Sequence, residues 1–296
     1  MKYEQFKLEI KNRLGAYLPV EWSGWKVRMY PKYKVNQKLD AVTVMPQDAE
    51  ARKTGAYPVF YVQDLYDLYQ AGNDIGKILR YVSKVMQETP SQEEIGKRAF
   101  DIERLKDCVV LQLIHYERNR ELLKELPHRR FLDLAVIYRA VVFDSEGKWA
   151  GMVVTNEIMK GWKLTEKQLY QNAWEHTRVA LPYVLKDMGR MFESGIAVEN
   201  TRDKIYFLSN DSLQFGAVAM LYPDILELAA GKIGGGYGIL PGSIHELYLV
   251  KGSADEAEFW RDVVKTANEE LVAPQEWLSD SIYYYDDIKK TINILL

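Results

Sequence analysis

The sequence predicts an α+β fold, with mixed or antiparallel sheets, packed helices and room for two subdomains. Three observations lead there. Several segments repeat apolar residues at three- and four-residue steps, the period of a helix with one buried stripe. Others alternate apolar and polar residues, the period of a half-buried strand. The two kinds come in runs, without the strict strand–helix–strand alternation of a doubly wound sheet.

The elements follow in order. Tyr3, Phe6, Ile10, Leu14 and Tyr17 draw one apolar stripe over residues 2–18, and Pro19 ends that helix. Residues 25–35 alternate: Val27, Met29, Tyr33 and Val35 point one way, while Lys26, Arg28, Tyr30, Lys32 and Lys34 point the other. Residues 39–45 read as the hairpin partner of this strand, and 58–62 as a third short strand. Helices are expected over 64–70 and 74–88, closed by a turn at Pro90. Ser91 with Glu94 makes a capping box for a helix running toward Asp107. Residues 108–116 form an apolar, strand-like run, and 117–126 read as a helix. Residues 131–143 and 148–155 make a hairpin around the turn Asp144-Ser145-Glu146-Gly147. Thr165 with Gln168 announces a helix to 181. A further hairpin is expected from 204–209 and 214–222, a helix over 223–231 and one strand over 239–250. The last helix, 254–271, begins at a capping box of Ser253 with Glu256. A boundary near Pro90 divides the chain into residues 1–90, a helix and three-stranded unit, and 91–296, a larger α+β domain.

Composition narrows the function classes. With 47% hydrophobic and 27% charged residues in 296, the chain can bury a proper core. The single cysteine, Cys108, excludes an internal disulfide framework and a cysteine-based zinc site, and fits a reducing compartment. Apolar runs such as Val141-Val142-Phe143 are far shorter than the roughly 20 residues of a membrane span. The start, Lys2-Tyr3-Glu4, lacks a secretory apolar core. A cytoplasmic protein with no membrane contact is expected. Charge is asymmetric: residues 1–38 hold nine Lys/Arg against three Asp/Glu, and residues 252–287 two against ten. Two solvated faces of opposite sign account for this, as do nucleic-acid contact and self-association.

Few constellations point to chemistry. Gly231-Lys232-Ile233-Gly234-Gly235-Gly236-Tyr237-Gly238 has glycines and a lysine, but a helix precedes it and a strand follows, the reverse of a phosphate-binding loop. It reads as a helix-to-strand connection. His115, His128, His176 and His245 are widely separated and show no metal-ligand spacing. No metal and no cofactor are expected. Cys108 and His115 fall on opposite faces of a strand and cannot pair as nucleophile and base. The best site candidate is Ser243-Ile244-His245-Glu246. On a strand, Ser243 and His245 share a face, and Glu246 lies on the other. That shared face continues through Leu247 and Leu249, so a buried structural histidine competes with a catalytic one. Glu175-His176 is a second acid–imidazole pair, able to meet His245 from another element.

At these residues the chain resembles a bacterial family classed as a domain of unknown function, DUF5688. The features are Phe215-Gly216-Ala217-Val218-Ala219-Met220-Leu221-Tyr222, Ile239-Leu240-Pro241-Gly242-Ser243-Ile244-His245-Glu246, Asn268, Val272, and Trp277-Leu278-Ser279-Asp280-Ser281-Ile282-Tyr283-Tyr284-Tyr285. The N-terminal helix and hairpin with Tyr57-Pro58-Val59-Phe60-Tyr61 extend the likeness over nearly the whole chain. Where the family carries Ser-Ser, this chain has Gly242-Ser243. The resemblance implies a bacterial, cytosolic, accessory-type protein and carries over no catalytic role.

Two functions remain. The first is a non-enzymatic binding or interaction protein, with a mobile-element setting among the expectations. Lys26, Arg28, Lys32 and Lys34 around Tyr30 would engage an acidic protein or a nucleic acid. Edge-strand lysines that only prevent aggregation are the plain alternative. The second is a hydrolase-type enzyme using His245 and Glu246 with Ser243 or Glu175/His176 as acid–base groups.

Overall fold

A computed structural model describes residues 1–48, 57–88, 105–143, 149–188, 205–252 and 256–296. The Ser91/Glu94 capping box, the turn at 144–147 and Ser253 lie outside them. The chain divides into two units, Met1–Glu103 and Arg104–Leu296. Every strand pair among the described residues is antiparallel, and helices pack on the sheets, so the fold is α+β.

In the first unit, helix α1 (Tyr3–Arg13) continues as a 3-10 turn over Leu14–Tyr17. Strands β1 (Trp25–Lys34), β2 (Gln37–Pro46) and β3 (Phe60–Tyr61) make a sheet in that order. Helices α2 (Val62–Gln70) and α3 (Ile75–Gln87) follow, the second capped by Asp74, whose side chain accepts the Lys77 N–H at 2.9 Å. Phe6, Ile10 and Leu14, one helical turn apart, are fully buried with Val42 and Val44 of β2 and Leu79 and Val82 of α3. Each such side chain contributes about 1.5–3 kcal/mol. On this helix-covered side of the sheet, Asp40 accepts Lys7 Nζ at 2.7 Å and Tyr3 OH at 3.2 Å. The sheet therefore gives one face to the helices; on the other, Lys26, Arg28, Lys32 and Lys34 of β1 are exposed while Ala41 and Thr43 of β2 are fully buried.

The second unit holds two sheets. One has β6 (Leu134–Phe143) at its centre, with β4 (Val109–His115) on one side and β5 (Arg129–Phe131) and β7 (Trp149–Val153) on the other. The other runs β13-β12-β10-β11-β9-β8, where β8 is Tyr183–Asp187, β9 Ile205–Asn210, β10 Tyr237–Pro241, β11 Leu247–Val250, β12 Tyr283–Asp286 and β13 Thr291–Ile294. Its helices among the described residues are α4 (Arg120–Leu123), α5 (Asn156–Gly161), α6 (Glu166–Ala180), α7 (Pro223–Ile233) and α8 (Ala257–Glu270). Thr165 and Gln168 form the expected capping box at the start of α6. That helix is pinned to β4, where Thr177 Oγ1 accepts the Leu111 N–H at 2.9 Å. Arg129 holds its first turn through a two-pronged bond to Glu166 (2.6 and 3.0 Å).

Two expected elements are corrected. The single strand over 239–250 is two strands, β10 and β11, paired antiparallel with Pro241 opposite Leu247. Residues Gly242 to Glu246 reverse the chain, as Pro-Gly-Ser chemistry favours. The expected hairpin of 204–209 with 214–222 does not form. β9 pairs with β8 and β11, and Gly216–Leu221 is a buried 3-10 helix entered through Phe215 in the left-handed region (φ 56°). Its small, uniformly apolar residues carry no strand alternation to hold a ladder.

Candidate functional site

The outer face of the first sheet is built by register. Lys26, Arg28, Lys32 and Lys34 are exposed along β1, with Tyr30 half-buried among them. Tyr30 stands opposite Ala41 of β2, and Ala41 stands opposite Tyr61 of β3, so a tyrosine–alanine–tyrosine row crosses three strands on this face. Ala41 and the neighbouring Thr43 are fully buried. Lys34 Nζ sits over the Tyr61 ring at 3.9 Å. Burial, and then the nearby Tyr61, push the Tyr30 hydroxyl above its ordinary value. Among the described residues none of the four cations forms an ion pair, whereas Lys7 on the opposite face is matched to Asp40. The alternation of β1 was readable from the sequence. Tyr61 was not, because its place in the row depends on the register of β3.

The second cluster gathers at the Gly242–Glu246 turn. Ser243 and His245 stand in this turn rather than on a strand face. Ser243 Oγ accepts the backbone N–H of His245 at 2.9 Å, so the serine braces the turn rather than meeting the imidazole. His245 Nδ1 accepts the Phe215 N–H at 3.1 Å, which leaves the ring proton on Nε2. The half-buried imidazole stacks on the Phe215 ring (5.8 Å, 28°), and Arg139 lies over the same phenyl ring at 5.1 Å. Glu276 Oε1 stands 3.8 Å from Nε2, beyond hydrogen-bond reach. Burial holds the imidazole below its ordinary 6.5 against the opposing pull of Glu276, with Arg139 adding to the lowering. Burial pushes Glu246 above its ordinary 4.5, offset by a hydrogen bond from Ser243 and reinforced by Glu276.

Glu175 is exposed on α6. His176 on the same helix is bonded through Nδ1 to the Val109 carbonyl at 3.2 Å, fastening α6 to β4. No hydrogen bond or ion pair among the described residues joins either to His245. The turn therefore brings Ser243, His245 and Glu246 together but does not add the second acid–imidazole pair. Sequence reasoning missed Phe215, Arg139 and Glu276 around His245.

It also missed a third cluster, centred on Asp133. That carboxylate accepts Ser279 Oγ at 2.7 Å on one oxygen and Tyr283 OH at 2.8 Å on the other. His115 Nε2 is 3.8 Å away, its Nδ1 capped by the Arg118 N–H at 3.1 Å, and the Trp277 ring packs on its imidazole at 4.9 Å. Glu276 at His245 and Trp277 at His115 are consecutive, so one loop spans both imidazoles. Its backbone is tied to the turn by the Ile244 N–H, which donates to the Glu276 carbonyl at 2.8 Å. Among the described residues no group of three His, Cys, Asp or Glu side chains could hold a metal ion, and no helix is long and apolar enough to cross a membrane.

Fold and clusters together define an α+β protein with a basic sheet face that no carboxylate matches among the described residues, and with His245 built into a turn. The chain belongs to the family of unknown function DUF5688, whose model matches residues 3–287. No curated protein and no solved structure matches it at a significant level.

Proposed function

We propose that this protein is a non-enzymatic interaction protein that binds a polyanionic partner through the outer face of its N-terminal sheet. The observation that carries this reading is the row Lys26, Arg28, Lys32 and Lys34, exposed along one strand and matched by no carboxylate among the described residues. Side chains two apart on a strand repeat at about 6.8 Å, so the row lays four charges along about 27 Å of edge. Four unneutralised cations in a line hold a surface potential that attracts anionic surfaces and makes their binding salt-dependent. Aggregation control by edge lysines accounts for the charges but not for a tyrosine row beneath them. The geometry at His245 supports this reading over the hydrolase one. Ser243 Oγ accepts the His245 backbone N–H and its hydroxyl bonds Glu246 rather than the imidazole, which is fixed by the Phe215 N–H as a brace between two loops.

The test is heparin affinity across a salt series, for the wild type and a Lys26→Glu, Arg28→Glu, Lys32→Glu, Lys34→Glu variant. The wild type is expected to bind with affinity falling steeply in salt. The single Lys32→Ala change lowers the salt slope by about one, and the quadruple variant does not bind. A quadruple variant that retains wild-type affinity overturns the reading.

A further inference from the structure

We infer that the polyanion is a single-stranded nucleic acid, its phosphates tracked by the cations of β1 and its bases received on the Tyr30–Ala41–Tyr61 row. The inference rests on the polyanion reading and goes beyond it by naming the ligand class. Charge alone does not distinguish a duplex, a single strand or an acidic polypeptide. The tyrosine row does.

Tyr30 sits in the middle of the basic row, with Arg28 and Lys32 two residues to either side. Its cross-strand neighbour, Ala41, is a methyl group flanked on its far side by Tyr61. Neighbouring strands lie about 4.8 Å apart, so the two tyrosines rise from the sheet about 10 Å apart with the smallest chiral side chain between them. Ala41 is itself fully buried, so what a ligand meets here is the partly exposed surface of the two tyrosines beside the β1 cations. Partly exposed aromatic rings set among cations suit splayed bases, because every base has a π-face and an unpaired strand can turn it toward the protein. A duplex keeps those faces stacked inside and would meet only the cations. An acidic polypeptide has carboxylates for the cations but nothing flat to lay on the rings.

Lys34 adds a second feature. Its ammonium already occupies the Tyr61 ring at 3.9 Å. A base arriving on Tyr61 takes that place and releases the ammonium toward the adjoining phosphate. Tyr30, whose ring carries no such cation among the described residues, is the first platform and Tyr61 the second.

The experiment uses the full chain and five probes: a labelled oligothymidylate, an abasic oligonucleotide of equal length, a duplex of equal length, heparin and polyglutamate. Wild-type protein is expected to bind the oligothymidylate about ten- to a hundred-fold more tightly than the abasic strand, which keeps the phosphates and lacks the bases. The Tyr30→Leu, Tyr61→Leu variant loses that preference while keeping heparin affinity, and Tyr30→Phe, Tyr61→Phe retains it. Because the abasic comparison is made on unaltered protein, a leucine variant that fails to fold does not remove the test. Equal affinity for the oligothymidylate, the abasic strand and heparin overturns this inference and leaves the polyanion reading standing. Tighter binding of the duplex, or of polyglutamate, also overturns it. Binding to none of the probes ends both.

Discussion

Replacing Gly216 by alanine tests how tightly the 3-10 helix is wedged under the His245 turn. A methyl at this position would stand 2.3 Å from the His245 carbonyl oxygen, 2.3 Å from Ser209 Oγ and 2.8 Å from Ser209 Cα. Ordinary contact begins near 3.4 Å, so the space is short by roughly 1 Å, and two of the three atoms are backbone. Ser209 Oγ itself donates to that same His245 carbonyl at 2.7 Å. Relief of the clash must part this bond, costing about 1 kcal/mol. Overpacking against the backbone adds about 1–3 kcal/mol. The expected loss is about 2–4 kcal/mol. With a urea slope of about 3 kcal/mol/M, the unfolding midpoint falls by about 1 M. Gly231→Ala is the control, since it lies on α7 with nothing within 4 Å of the added methyl. It should gain about 0.5–1 kcal/mol from helix propensity and move the midpoint the other way. Urea unfolding followed by fluorescence reads both, and amide exchange localises the loss to β9 and β11. A Gly216→Ala midpoint within about 0.3 M of wild type would refute the reasoning, because it would mean the backbone yields at little cost.

Two further outcomes are expected of the polar clusters. Burial leads the lowering of both His115 and His245 below 6.5, opposed at His115 by Asp133, Asp280 and Glu117 and helped by Arg118. Each ring binds its proton less readily folded than unfolded. Their contribution is therefore complete above pH 6.5 and is lost as pH falls below it through the folded values. Glu246 works the other way in acid, so the measurement is the difference in urea midpoint between wild type and a His115→Gln, His245→Gln variant at pH 7.5 and pH 5.5. Wild type should lose more stability than the variant over that interval, and equal losses would show that neither histidine titrates at the expense of the fold. Asp133→Ala strands two buried hydroxyls, Ser279 and Tyr283, each bonded to a carboxylate, and should cost about 3–5 kcal/mol. Asp133→Asn keeps an acceptor and should cost about half. Thermal melting checks the pair, and an alanine variant within about 0.5 kcal/mol of wild type removes Asp133 as an anchor.

The sequence was most legible where one period ran undisturbed. Phe6, Ile10 and Leu14 mark α1 because a helix buries every fourth residue, and the β1 alternation separates Val27 and Met29 from Lys26 and Arg28 because a strand buries every second. Reading failed where no period exists. Gly216–Leu221 is apolar on every side, so the pattern cannot tell a buried 3-10 helix from a strand. The turn at Gly242 was written in Pro-Gly-Ser, but the apolar residues flanking it suggested one continuous strand. The site partners were the least legible. Glu276 reaches His245 only through the packing of a loop, and Ser279 and Tyr283 meet Asp133 from 146 and 150 positions away. Nothing local in the chain records such pairings.

That distance has a consequence for how the second unit is made. Its six-stranded sheet is completed only when β12 and β13 have been made. β4 and β6 leave the ribosome with Asp133 at the β5–β6 corner, and the carboxylate then waits for hydroxyls still unmade. β10, now interior to the six-stranded sheet, has one bare edge until β12 arrives to pair Tyr283 with Ile239 and Tyr285 with Tyr237. Through that interval the nascent chain carries an open, aromatic-rich strand edge, the kind of surface that pairs with the wrong neighbour. A chain halted before Ser279 would keep that edge permanently, with Asp133 lacking both its donors. The six-stranded sheet is therefore completed late in synthesis, and the nascent chain is the stage at which its open edge can mispair.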